Sequence, residues 1–111
     1  MIEFEFKVNQ AFLTYPQRPI TVPQRLRPSL DGSMIERLKP IKIICPDGTI
    51  LRGHIYSGWN NNTYYSQIRV YRRELRIDPL KKYVVGEKLT VRIFENSDYI
   101  EIREQDEERY E

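Results

Sequence analysis

Apolar and polar residues alternate along several short stretches of the chain, which is the pattern of half-buried β-strands. Residues 2–8 place Phe4 and Phe6 on one face and charged side chains on the other. Residues 88–94 alternate in the same way, with three aliphatic side chains facing one side. Together with shorter apolar runs, the pattern predicts seven strands, at residues 2–8, 20–22, 41–45, 50–56, 63–71, 88–94 and 99–103.

Proline, glycine and asparagine mark the connections between these strands. Pro46-Asp47-Gly48 is a turn signal between two strands, and residues 57–62 are predicted to form a polar loop. Ser33 and Glu36 have the spacing of a capping box, which predicts one or two turns of helix. Residues 72–80 could form one further helical turn, closed by Pro79.

Short strands joined by close turns favour a barrel, because closure removes exposed sheet edges. We therefore predict a mainly β fold with one or two short helices, a small open barrel or pseudobarrel of about seven strands. The chain has 111 residues, the size of one domain, which we assign to residues 1–103. Residues 104–111 are predicted to form a disordered acidic tail.

Charge is unevenly distributed along the chain. The formal net charge is +2, but residues 104–111 carry five acids and one arginine, and residues 1–8 carry −1. The remaining 95 residues therefore carry +7. A basic body indicates an anionic partner, whose attraction the tail would tune, although a solvated surface with a frayed end is the simpler interpretation of the tail.

The single cysteine and the residue pattern at the N-terminus predict the cellular compartment of the protein. Cys45 lies in an apolar run, which predicts a buried structural thiol and a reducing compartment. The alternating N-terminus does not have the pattern of a signal peptide. No apolar stretch approaches the roughly 18 residues of a membrane span. We expect a cytoplasmic protein that does not contact a membrane.

The sequence supplies few groups for catalysis. His54 is the only histidine, so it and Cys45 do not complete the set of about four ligands that zinc needs. The glycines form no phosphate loop, and there is no G-x-S-x-G motif. Pro46-Asp47 could begin a nuclease motif, but the acid-x-Lys triplet Glu5-Phe6-Lys7 lies upstream of it. We therefore expect no enzyme activity, no metal site and no cofactor.

Arginine, asparagine, glutamine and aromatic residues are concentrated in two stretches, residues 9–27 and 52–76. Arginine can pair with phosphate or guanine and asparagine with adenine, while aromatic rings stack on bases. The candidate nucleic-acid-binding residues are Asn9, Gln10, Gln17, Arg18, Arg25, Arg52, Trp59, Asn60, Asn61, Asn62, Tyr64, Tyr65, Arg69, Arg72 and Arg73. The same residue types build protein-binding hot spots, so composition alone leaves the partner open.

The order of motifs resembles a known DNA-binding fold. Asp47-Gly48 separates two strands, an asparagine-rich loop precedes Tyr64-Tyr65 and Arg69, and Gly86 leads into the last two strands. Ile20-Thr21-Val22-Pro23 is similar to the extended segment after the first recognition arm. From Ile41 to Ile102 the chain thus resembles the DNA-binding pseudobarrel domain of plant transcription factors. It is also similar to the recognition domains of some restriction endonucleases, those of the phospholipase-D type above all.

This resemblance implies that two arms grip the major groove of double-stranded DNA. The first arm would be residues 9–18 and the second arm residues 59–69. Cleavage would come from a separate partner, as in restriction-modification, or would not occur. A rival resemblance rests on Arg73-Glu74-Leu75-Arg76 followed by a Gly86 turn and a hairpin. It points to the shorter, dimeric swapped-hairpin domains of bacterial transition-state regulators.

We predict a non-catalytic double-stranded DNA-binding domain. One alternative is a protein-interaction or adaptor module, such as a phage, viral or restriction-associated accessory protein, and another is a single-stranded nucleic-acid binder.

Overall fold

The computed structural model describes residues 1–30, 39–94 and 97–105, which form seven strands, one short α-helix and two 3-10 helices. The strands are β1 (Ile2–Lys7), β2 (Ile20–Thr21), β3 (Ile41–Ile44), β4 (Ile50–Asn60), β5 (Thr63–Val70), β6 (Lys88–Phe94) and β7 (Tyr99–Glu104). The helices are α1 (Gln10–Thr14), the first 3-10 helix (Gln24–Ser29) and the second 3-10 helix (Arg72–Arg76). The predicted mainly β class is confirmed. The capping box predicted at residues 33–36 lies outside the described residues.

The seven strands form one sheet that curls into a nearly closed barrel. Their order across the sheet is β1-β6-β7-β3-β4-β5-β2, so β1 and β2 are its edges. β3 and β7 run parallel, and each other neighbouring pair is antiparallel. The predicted barrel is therefore confirmed.

The alternation of apolar residues sets the register of the barrel. Phe4 of β1 lies opposite Val91 of β6, and Ile93 of β6 lies opposite Ile100 of β7, so their side chains share the inner face. Each of these four is at most 4% exposed. Full burial of such a side chain contributes roughly 1.5–3 kcal/mol. A slip of one residue would turn the apolar set outward, and burial therefore fixes the register.

β4 and β5 form the longest pair and extend as a two-stranded ribbon. The predicted loop over residues 57–62 is wrong, because β4 continues to Asn60, which pairs with Thr63. Only Asn61 and Asn62 form the turn, both with positive φ (51° and 66°), as a type I′ hairpin requires. Ser57 and Ser66 are joined across the strands by a 2.8 Å hydrogen bond between their hydroxyls. Such cross-strand pairs keep this polar segment in the ladder.

Gly53 allows a close approach inside the barrel. A Cβ at this position would overlap the carbonyl oxygen of Arg69 and lie 2.7 Å from Cδ1 of Ile43. Any side chain here would push β4 away from its neighbours. The glycine therefore helps to fix the position of Arg69 on β5.

The turn between β3 and β4 uses the residues that could have begun a nuclease motif. Asp47 accepts a 2.9 Å hydrogen bond from the backbone N–H of Thr49, which lowers the pKa of its carboxyl group. Gly48 has a φ of 90°, which glycine adopts without strain. Cys45 is 2% exposed, as predicted, and burial raises the pKa of its thiol to about 12. These residues therefore act in the turn and the core.

β7 continues one residue beyond the predicted boundary of the domain. Glu104, a residue of the predicted tail, ends β7 and accepts a 2.6 Å hydrogen bond from Oη of Tyr83. Its carboxylate also lies 3.3 Å from Nζ of Lys82. The hydrogen bond, more than the lysine, lowers the pKa of Glu104. The tail prediction from residue 106 onward lies outside the described residues.

Candidate nucleic-acid interface

An open groove of about 790 Å³ separates the two predicted arms. The first arm and the segment after it line one side, with Ala11, Tyr15, Gln17, Pro19 and Thr21. The second arm lines the other side, with Asn60, Asn61, Thr63, Tyr65, Gln67 and Arg69. Two stretches that are distant in sequence therefore meet across one concave surface.

The pairing of β2 with β5 brings the arms together. Ile20 lies opposite Ile68 and Thr21 opposite Gln67. The backbone N–H of Val70 donates to the carbonyl of Gln17 at 2.7 Å, which extends the connection into the first arm. The first arm is thus attached to the base of the ribbon and faces its side.

Strand alternation gives the ribbon two chemically distinct faces. The groove face carries Tyr65, Gln67 and Arg69 of β5, beside Tyr56 of β4. The opposite face, which we call the back face, carries the directly paired Trp59 and Tyr64, with ring centroids 5.1 Å apart. The candidate residues of the second arm are therefore divided between two surfaces.

A network of side chains holds Arg69 in the groove. Nε and Nη2 of Arg69 donate to Oε1 of Gln67 at 3.1 and 2.9 Å. Nε2 of Gln67 donates to Oγ1 of Thr21 at 3.1 Å. The guanidinium lies over the ring of Tyr56, 3.9 Å from its centroid, within cation–π range. Arg69 is thus oriented before any ligand binds.

Two of the predicted DNA-contacting residues organise the first arm. Asn9 is the N-cap of α1, and its Oδ1 accepts a 2.9 Å hydrogen bond from the N–H of Phe12. Arg18 is buried and its guanidinium is bonded to Asp78, at 2.6 Å, and to the carbonyls of Phe12 and Leu13. Arg18 is therefore engaged inside the domain, whereas Asn9 caps the helix and stays exposed.

Three further candidates extend the surface beyond the groove. Arg52, Arg72 and Arg73 are exposed at the barrel end of the ribbon and in the second 3-10 helix. The guanidinium of Arg73 lies 5.4 Å from the ring centroid of Tyr71. The ring of His54 also stacks on Tyr71, with the two ring centroids 5.3 Å apart.

The two sides of the groove come from sequence ranges without acidic residues. Residues 8–30 and 48–73 contain seven arginines and no aspartate, glutamate or lysine. Within the part of the chain that the structure describes, Arg18 is the one arginine of this set in a salt bridge. The segments that line the groove therefore carry positive charge and no carboxylate of their own, while Asp78 and Glu74 contact Arg18 and the backbone of Arg52 from outside these ranges.

The candidate residues thus have different locations. Gln17, Asn60, Asn61, Tyr65 and Arg69 line the groove. Gln10, Arg25 and Asn62 are exposed outside its lining. Thr21 and Gln67 were missed as site residues. Gln67 lies two residues before Arg69 on the same strand, so alternation alone predicts that both side chains share a face. No sequence signal predicts that Thr21 pairs with Gln67.

Two further features concern the described residues only. No helix among them is long and apolar enough to cross a bilayer. Within the same ranges, no three side chains of His, Cys, Asp or Glu are grouped so that they could hold a metal ion.

The fold is shared with a plant protein of known structure. The chain in the Arabidopsis FUS3–DNA complex matches with a TM-score of 0.60 and 15% identity, covering 93% of this chain and 97% of that chain. No family model matches the sequence, and no curated protein matches it significantly. At this identity the likeness establishes the fold, and the predicted pseudobarrel is thereby confirmed over the rival swapped-hairpin fold.

Proposed function

We propose that this domain binds double-stranded DNA and reads the major groove with its two arms. The observation that carries the proposal is the groove between the arms, in which amide side chains and the fixed Arg69 face one concave surface. Arginine pairs bidentately with guanine, and asparagine or glutamine with adenine. The sequence ranges that line the two sides of the groove contain no aspartate or glutamate, so none of their side chains would repel a phosphate backbone.

The shape of the second arm supports this mode of binding. A two-stranded β-ribbon fits the major groove of B-DNA, which is about 12 Å wide. The exposed Asn61 and Asn62 would lead at the tip, while Asn60 and Arg69 would follow along the groove face. Arg69 would lose little rotamer freedom on binding, because Gln67 and Tyr56 already hold it.

The exposed arginines outside the groove would position the duplex. Arg52, Arg72 and Arg73 would contact phosphates, which set orientation without reading sequence. The Arabidopsis FUS3 chain, which shares this fold, was solved as a complex with DNA, and that supports the same class of partner here.

The proposed role is binding without catalysis, in the cytoplasm. His54 is the single histidine, and the thiol of Cys45 is buried with its pKa raised to about 12. Cleavage of the bound DNA, in a restriction system for example, would be the work of a separate protein.

The test is binding to a random-sequence duplex, measured by gel shift at two salt concentrations. We expect the logarithm of the wild-type affinity to fall linearly with the logarithm of salt, by roughly 0.9 per phosphate contacted. The Arg69→Ala, Asn61→Ala double variant should bind the random duplex more weakly, because it removes a cation and an amide from the groove. It should also discriminate less between duplexes of defined sequence, since each good base pairing is worth roughly 1–3 kcal/mol of discrimination.

The matched control is Arg103→Ala, which removes an arginine from β7, beside Glu101. It should leave the affinity close to that of the wild type. Absent or salt-independent binding would refute the proposal, as would an equal loss in the control variant.

A further inference from the structure

The back face of the ribbon presents a large aromatic surface to solvent. Trp59 is 71% exposed, the most exposed aromatic side chain that the structure describes. Its partner Tyr64 lies directly opposite on β5, with the two rings inclined at 49°. Because the ribbon backbone separates this face from the groove, neither ring is part of the groove lining.

Two residues of the first 3-10 helix hold Tyr64 in position. The guanidinium of Arg27 lies over the tyrosine ring, 4.1 Å from its centroid, and its Nε donates to Oγ of Ser66 at 3.4 Å. Nε2 of Gln24 donates to the backbone carbonyl of Tyr64 at 2.8 Å. The back face is therefore a preformed surface with a cation beside its aromatic rings.

The chemistry of this surface indicates its ligand. A flat exposed ring beside arginines, in sequence ranges without carboxylates, suits a partner with exposed π-faces and negative charge. The bases of a duplex are stacked on one another and do not offer their faces. Unpaired nucleotides offer both the base face and the phosphate.

We propose that the back face binds single-stranded nucleic acid, with one base stacked on Trp59 and an adjoining phosphate at Arg27. Arg25, which is exposed two residues earlier in the same helix, adds a second cation to this end of the domain. The site is separate from the duplex-binding groove and does not depend on the function proposed for that groove.

The single tryptophan makes the proposal directly measurable. The probe is an eight-nucleotide oligothymidylate, and the control is an abasic oligomer of the same length and charge. Stacking on Trp59 should quench the tryptophan emission of the wild type with oligothymidylate, in a saturable way. The abasic oligomer should leave the emission almost unchanged, because it offers charge without bases.

Affinity is then measured by anisotropy of a labelled oligothymidylate. Trp59→Ala should weaken binding about 5- to 150-fold, the range for one stacked base. Tyr65→Ala, which removes a ring from the groove face of the same ribbon, is the matched control and should change the affinity less than about twofold. The groove variant Arg69→Ala, which leaves the turn residues of the hairpin unchanged, should likewise retain single-strand binding, even if it loses the duplex.

Three results would overturn the proposal. The first is the absence of binding to oligothymidylate, and the second is equal quenching by the abasic oligomer. The third is an equal loss of duplex and single-strand affinity in Trp59→Ala, which would assign Trp59 to the duplex site. Circular dichroism of each variant establishes that a loss does not reflect unfolding. Duplex binding by the wild type is measured in parallel. If the wild type binds duplex but not oligothymidylate, only the back-face proposal fails; if it binds oligothymidylate but not duplex, only the groove proposal fails.

Discussion

His54 is a titratable side chain on a surface rich in arginine. Its Nδ1 is buried and has no hydrogen-bond partner among the described residues, while its ring stacks on Tyr71. Burial, and secondly the charge of Arg69, lower the pKa of His54 below its ordinary value of 6.5. The folded protein therefore favours the neutral imidazole.

This lowered pKa predicts a pH dependence of stability. Between the pKa of folded His54 and 6.5, the unfolded chain binds more protons, so the free energy of unfolding should rise with pH through that window. His54→Gln, which keeps a polar side chain without titration, should show a smaller rise. Urea unfolding of both proteins at pH 5.5 and 7.5 measures the difference, and parallel pH profiles would contradict the assignment.

At the scale of elements, the first arm is held by a mostly buried ion pair. The side chains of Arg18 and Asp78 are 10% and 12% exposed, and they join the end of the arm to the segment before β6. Arg18 also has a φ of 50°, a conformation that the ion pair and two carbonyl contacts hold in place. The position of the arm beside the groove thus depends on a residue sixty positions away.

Removing one partner should loosen the arm without touching the groove surface. Asp78→Ala should lower the free energy of unfolding by about 3–5 kcal/mol, because it leaves the guanidinium buried without its carboxylate. Duplex affinity should fall as well. The double variant Arg18→Met, Asp78→Leu, measured by urea unfolding, should recover part of the lost stability. If it is no more stable than Asp78→Ala alone, the unpaired buried charge of Arg18 does not cause the loss.

The sequence predicted those features that local pattern determines. The strand alternation of β1, β5 and β6 and the turn at Asp47-Gly48 follow from the nearest neighbours. The ion pair of Arg18 is a long-range contact that no local pattern reports. Ser57 and Gly58 have loop composition, and only their pairing with β5 makes them a strand. Long-range pairing therefore marks the limit of the prediction.

At the scale of the molecule, charge is separated between the two sides of the barrel. The ranges 8–30 and 48–73, which line the groove, carry arginines without acids of their own, whereas β1, β6 and β7 carry ion pairs such as those of Arg92 with Glu3 and Glu101. Such an asymmetry orients a charged partner before contact. The duplex should therefore approach the groove side first.

The acidic residues at positions 106–111 should oppose that approach. Their deletion removes four acids and one arginine and raises the formal net charge from +2 to +5. Duplex affinity should increase at low salt, and the gain should shrink as salt rises, since the screening length is only about 10 Å at 0.1 M. A full-length variant with the four acids changed to amides controls for chain length. Unchanged duplex affinity in both the deletion and the amide variant would show that the acidic residues do not oppose binding.

The pairing of β1 with β6 has a consequence for how the chain is made. β1 leaves the ribosome before β6, which follows more than eighty positions later, so Phe4 and Phe6 stay unpaired while the intervening residues are synthesised. The β4–β5 and β6–β7 hairpins are local and form quickly, whereas pairing across a long loop is slow. Nascent chains with exposed apolar strands are prone to aggregate. The barrel therefore closes only after β6 has emerged. Until then, aggregation through β1 is avoided only if a chaperone covers the strand or if synthesis and closure are fast.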